Sequence, residues 1–206
     1  MMDVIAAHRR SLAGALTTLT LDQWHAPSLC AGWTAAHVLA HQTMPFRISE
    51  QDFMAGLQES GGDFTTFSDE IAERDSMLPP ADLVALLRDN ADTAWIPPGG
   101  GLTGALTHDV IHGLDITWPL GIAYEIPERA TTTVLDSLTS GGSRTLFGFP
   151  LDGIRVAASD VGWSAGDGAE LTGRSRDLIP LLAGRAVPLR LFGGEGAARA
   201  RSLAAP

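Results

Sequence analysis

Lysine is missing from this 206-residue chain: all 14 basic residues are arginine. Without a lysine amine there is no Schiff-base chemistry and no P-loop. The absence fits the codon bias of a GC-rich genome. Cysteine is nearly missing as well. A single cysteine, Cys30, excludes an internal disulfide and any C-x-x-C redox or zinc motif. No basic cluster offsets the formal net charge of −10, so nucleic acid and anionic membrane surfaces are poor partners. No apolar run approaches the roughly 20 residues that span a bilayer. The first residues, M-M-D-V-I-A-A-H-R-R, lack the order of charge, apolar stretch and cleavage site of a signal peptide. A cytoplasmic protein is expected. The hydrophobic fraction of 45% is that of a globular chain, enough for one sizeable core or a domain plus a small appendage.

Apolar residues at Ile5, Leu12, Leu16 and Leu19 mark a helix face over residues 3–20. After a loop punctuated by proline and glycine, Thr34 is placed to cap a second helix running to about residue 58, kinked near Pro45. Residues 63–77 read as a more polar helical stretch, and Pro79 and Pro80 open a third clear helix. The break P-P-G-G-G precedes Leu102 to Trp118, a helix apolar on nearly every side and therefore expected at the centre of a bundle. Pro127 to Leu138 reads as the last bundle helix, stopped by Ser140-Gly141-Gly142. Beyond Pro150 the period changes. Ile154, Val156 and Ala158 alternate as in a strand, A-E-L-T-G is a second strand, and V-P-L-R-L-F a third. Asp177 is expected to cap a short helix with Pro180 in its first turn, and residues 197–203 form a final helix. The expected organisation is mostly α: a helical bundle over residues 1–149 and a small α+β appendage over 150–206.

All six histidines precede residue 113, and two pairs share the spacing H-x-x-x-H: His37/His41 and His108/His112. Residues four apart stack on one helix face, so both rings of a pair can reach one point. A pair on one helix with a third imidazole from a facing helix gives three nitrogen ligands and one open position, the arrangement of a catalytic metal site. His108 and His112 interrupt an apolar helix, where a buried polar ring needs a bonding partner. Asp115 follows one turn later, placed to orient a ligand histidine or to be a weaker ligand itself. His41 shares its face with Val38, Met44, Pro45 and Ile48 and is expected to point inward. Spacing alone leaves a second reading open, in which these are core histidines bonded to backbone carbonyls or to each other. His37 reads as partly exposed, and His8 and His25 as surface or internally satisfied histidines. No cysteine stands at an evident ligand spacing.

Three motif matches lack the context their chemistry needs. Residues 99–104 fit G-x-G-x-x-G, but two prolines rather than a strand precede them. Residues 162–166 fit G-x-S-x-G, but no histidine follows to complete a hydrolase triad. No Glu-x-x-His of the di-iron bundle type occurs.

Three stretches taken together resemble the mycothiol-dependent maleylpyruvate isomerase family, within the DinB-like superfamily of metal-binding four-helix bundles. They are W-H-A-P-S-L-C-A-G-W-T-A-A-H-V-L-A-H at 24–41, H-D-V-I-H-G-L-D-I-T-W-P-L-G at 108–121, and G-I-R-V-A-A-S-D-V-G-W-S-A-G-D-G with L-L-A-G-R behind it. The resemblance spans most of the chain, although residues 42–100 match only in character. It implies a DinB-like four-helix bundle with a small C-terminal appendage, and His41, His108 and His112 as metal ligands. The isomerase itself carries glutamate where His108 stands, and the three-histidine set is similar to that of other DinB-like proteins. Zinc is the implied ion, with nickel the alternative, and mycothiol the implied co-substrate. A metal-held thiolate would then add to an electron-poor double bond and leave after rotation, or displace a leaving group. Arg74 and Arg185 are candidates for binding a substrate carboxylate. The partners implied are a small thiol and a small-molecule substrate, in a monomer or homodimer. The reading is an isomerase or thiol S-transferase; the alternative is a non-catalytic metal or small-ligand binding protein.

Overall fold

The computed structural model describes residues 1–96, 100–140, 149 and 151–203. By packing, the chain forms two compact units, Met1–Ile126 and Pro127–Pro206.

In the first unit, α1 (Met2–Leu16), α3 (Ala35–Thr43), α6 (Pro80–Asp89) and α7 (Gly101–Thr117) form a four-helix bundle. Each of α1 and α3 packs against both α6 and α7. Leu12, Leu16, Leu39, Leu83, Leu87 and Ile116 fill the space between them and are all essentially solvent-free. The near-continuous apolar character of α7 follows from this central place, since most of its residues from Ala105 onward are buried. Between α1 and α3 lies the short helix α2 (Leu21–Trp24), opened by a capping box of Thr20 and Gln23 that the sequence reading passed over. Thr34 caps α3 as expected, with His37 completing its capping box.

The kink expected at Pro45 is a full break. After α3 the chain makes a 3₁₀ turn, Met44–Phe46, and restarts as α4 (Glu50–Glu59). Proline withholds a backbone donor, and Ser49 then offers its hydroxyl to the Asp52 N–H as a fresh cap. α5 (Phe64–Asp75), capped by Asp63, packs against α3. The expected break at Pro97, Pro98 and Gly99 lies outside the described residues. No helix among the described residues is long and apolar enough to cross a membrane.

In the second unit, α8 (Glu128–Thr139) packs against α9 (Ser175–Leu182). The helix expected to be the last of the bundle therefore groups with the C-terminal unit, and the division by packing falls at Ile126/Pro127 rather than near residue 149. Its apolar stripe (Ala130, Val134, Leu135, Leu138) suits either neighbour, which is why periodicity could not assign it. The stop at Gly141 and Gly142 lies outside the described residues. β1 (Ile154–Ala158) pairs in parallel with β3 (Ala169–Gly173) and antiparallel with the two-residue β2 (Ser164–Ala165). The strand expected at 187–192 is instead a 3₁₀ turn, Leu189–Leu191, with only Gly193 bridging to Thr172. Pro188 has no N–H to give a ladder there. α9 begins two residues before the expected cap, its first N–H bonded from outside by the Asp160 carboxylate at 2.8 Å. α10 (Glu195–Leu203) closes the unit.

Candidate metal centre

His41 on α3 meets His108 and His112 on α7 inside the first unit. Ring centroids lie 5.1 Å apart for His41 and His108, 4.9 Å for His41 and His112, and 4.6 Å for His108 and His112. One nitrogen from each ring falls within 4.8 Å of the others. His41 Nε2 and His108 Nε2 are 3.1 Å apart. Two imidazole ligands at the usual zinc–nitrogen length in a tetrahedral site sit roughly 3.3 Å apart, so the spacing fits a shared ion.

What aims these nitrogens is the bonding of each ring's other nitrogen. His41 Nδ1 faces Ser68 Oγ of α5 at 2.9 Å. His108 Nδ1 faces Asp109 Oδ1 at 3.2 Å, and His112 Nδ1 faces Asp115 Oδ2 at 3.0 Å. Each Nδ1 thus faces an oxygen, the outer arrangement found around metal-bound histidines. Asp115, expected either to orient a ligand histidine or to be a weaker ligand itself, is the residue that His112 Nδ1 meets.

Two further contacts stiffen the His108 side. Asp109 Oδ2 accepts from Arg9 Nε at 2.6 Å, with both side chains almost wholly buried. Arg9 Nη1 also donates to the carbonyl oxygens of Asn90, Ala91 and Thr93. Burial works to raise the Asp109 carboxyl, but the hydrogen bond from His108 and the charge of Arg9 outweigh it and hold it below the usual carboxylate range. His41 is driven far below the ordinary histidine range by burial first, then by the neighbouring His112 and His108. It is therefore neutral near pH 7 and keeps a lone pair for a metal. Trp33 lies against His41 and Trp95 against His108, at centroid distances of 5.2 and 5.1 Å. His108 and His112 retain 18% and 15% side-chain exposure, leaving the centre one wetted side.

The remaining histidines stay apart from this cluster. His37 bonds Glu73 at 2.8 Å and serves the α3 cap. His25 is exposed. His8 is fully buried, bonded to the Tyr124 hydroxyl at 3.1 Å, and burial pulls its pKa down to about 4. Cys30, passed over by spacing, sits beside Asp115 and His112, with Sγ 3.1 Å from Asp115 Oδ2.

Of the two arginine candidates, Arg74 stands apart from the centre. Arg74 lines a separate cavity of about 600 Å³ with Arg47 and Phe67, where Asp52, Glu59 and Glu70 also stand. Its guanidinium is already engaged by Asp75. Arg185 lies in the second unit. Burial works to raise Asp75, but its bonds to Arg74 and Arg47 prevail and lower it. A depressed carboxylate stabilises the fold above its unfolded pKa of about 4, and that contribution is lost as pH falls through the folded value. Asp75→Asn is expected to lower the melting temperature at pH 7 and to flatten its decline below about pH 4. Thermal unfolding across pH checks this; identical acid limbs would refute it.

A three-imidazole cluster between two bundle helices, with every ring backed by a hydrogen-bond partner, defines a helical-bundle protein whose facing histidines could hold a metal ion. Residues 5–94 match the family model described as the mycothiol maleylpyruvate isomerase N-terminal domain, which bears out the resemblance read from the sequence. That match takes in His41 and ends before α7. Two solved structures share the fold, a mycothiol-dependent maleylpyruvate isomerase and a histidine-to-alanine variant of it. Their TM-scores are 0.62 and 0.63, at 16% identity, covering 95% of this chain and 92% of theirs. No curated protein sequence matches the chain significantly.

Proposed function

We propose that the chain is a metal-dependent enzyme of the mycothiol-dependent maleylpyruvate isomerase type. His41, His108 and His112 hold a divalent ion, zinc by preference, and a small thiol is activated there for isomerisation or S-transfer. One observation carries the reading: one nitrogen from each of the three rings falls within 4.8 Å of the others, while Ser68, Asp109 and Asp115 face the Nδ1 atoms. When bound, the ion supplies a Lewis acid that lowers the pKa of a thiol at its open position. The chain's own contribution is to hold three imidazole donors, to fix their rings, and to shield two of them with Trp33 and Trp95. The partial exposure of His108 and His112 is the side from which a thiol approaches.

The test uses the Cys30→Ser protein loaded with cobalt, so that any sulfur at the metal comes from added thiol. Mycothiol is expected to produce a sulfur-to-cobalt charge-transfer band, at lower concentration than glutathione does. If neither thiol perturbs the spectrum, the enzyme reading loses its mechanism and a non-catalytic metal protein becomes the better account.

Every residue of the centre lies in Met1–Ile126, and we place the metal function in that unit. A chain ending at Ile126 is expected to keep its helical circular dichroism and one equivalent of metal. Loss of both would show that residues 127–206 are needed to complete the fold.

A further inference from the structure

On the far side of the His112 ring lies a second set of donors. His112 Nδ1, Asp115 Oδ2 and Cys30 Sγ stand 3.0 Å (nitrogen to oxygen), 3.1 Å (sulfur to oxygen) and 3.9 Å (sulfur to nitrogen) from one another. Built structure brings them together. Leu29 N–H donates to the Asp115 carbonyl at 3.0 Å, tying the Cys30 loop to α7. Ser28 Oγ accepts from Cys30 N–H at 3.1 Å and donates to the Trp33 carbonyl at 2.8 Å. Asp115 is solvent-free, while Cys30 is partly exposed.

We propose that Cys30, Asp115 and His112 Nδ1 form a second metal position for a thiophilic divalent ion, joined to the first through the His112 ring. A tetrahedral zinc site places sulfur about 3.6 Å from its nitrogen and oxygen partners, and those two about 3.3 Å from each other. The observed separations differ from these by half an ångström or less. The charge balances too. The Cys30 S–H and the His112 Nδ1–H both point at Asp115 Oδ2, so two protons occupy the space the ion would take. One dication replacing both leaves the net charge of the cluster unchanged, the protons going to solvent and the imidazolate bridging two ions. The proposal rests on the three-histidine reading for the ion on the other face of His112.

Cadmium binding tests both positions separately, because Cys30 is the chain's single cysteine and any thiolate-to-cadmium band must come from it. The full-length protein is expected to take two equivalents of Cd²⁺, only the second of which brings the ultraviolet band. Cys30→Ser should take one equivalent with no band. Asp115→Asn, close in shape to the native residue, should weaken the band-forming step at least tenfold. His41→Ala should lose the silent equivalent and keep the band, so failure of the three-histidine site is read independently. The proposal is overturned if the band appears with a single total equivalent, which would place Cys30 at the first ion. It is equally overturned if Asp115→Asn leaves the band's affinity unchanged, or if sedimentation shows one cadmium shared by two chains.

Discussion

Replacing His41, His108 or His112 singly by alanine is expected to weaken metal binding by about 100-fold or more. Losing only an outer partner of a metal-bound histidine typically costs 10–100-fold, and these variants remove the ligand itself. All three should behave alike, because one nitrogen of each ring lies within 4.8 Å of the other two. His25→Ala is the matched control, since that ring is exposed and outside the cluster. His8→Ala should also keep the metal, although deleting a buried ring will lower its melting temperature. Competitive titration against a chromophoric chelator gives the affinities. Undiminished affinity in all three ligand variants would refute the shared site. Metal that binds only the folded protein should also raise the wild-type melting temperature and leave the variants unmoved.

The second large effect is expected at the Arg9–Asp109 pair, which joins α1 to the back of His108. Arg9→Met removes one partner of a buried ion pair and strands the other, a change that costs about 3–5 kcal/mol. It also deprives three carbonyl groups at 90, 91 and 93 of the guanidinium that bonds them. Asp109→Asn acts on the metal as well, since it weakens the acceptor that orients His108, and an affinity drop of about 10–100-fold is expected. Urea unfolding measures the first effect and metal titration the second. A stability loss in Asp109→Asn with wild-type affinity would confine the pair to a structural role.

The bundle was legible because its signals are local. α3, α5, α6 and α7 announce themselves by Thr34, the stretch that starts at Asp63, the Pro79–Pro80 pair and apolar residues on nearly every side. The two histidine stretches were legible for the same reason: spacing of four on a helix says which side chains share a face. What escaped depends on contacts distant in sequence. Ser68 reaches His41 from 27 residues away, and Cys30 reaches Asp115 from 85. No periodicity reports such pairs. Arg9 did leave a trace, because it falls on the stripe of Ile5, Leu12 and Leu16, where a charged residue needs a buried partner. The division at Ile126 and the turn at Pro188 were missed because amphipathic and alternating patterns report a buried face without saying what covers it.

X-ray absorption at the zinc edge, on protein purified without a histidine tag and loaded with one equivalent, tests the central claim most directly. Three imidazole nitrogens and one light atom at about 2.0–2.1 Å, with no sulfur, is the predicted first shell. A sulfur ligand at about 2.3 Å at that stoichiometry, or fewer than three imidazoles, would contradict a centre built on His41, His108 and His112.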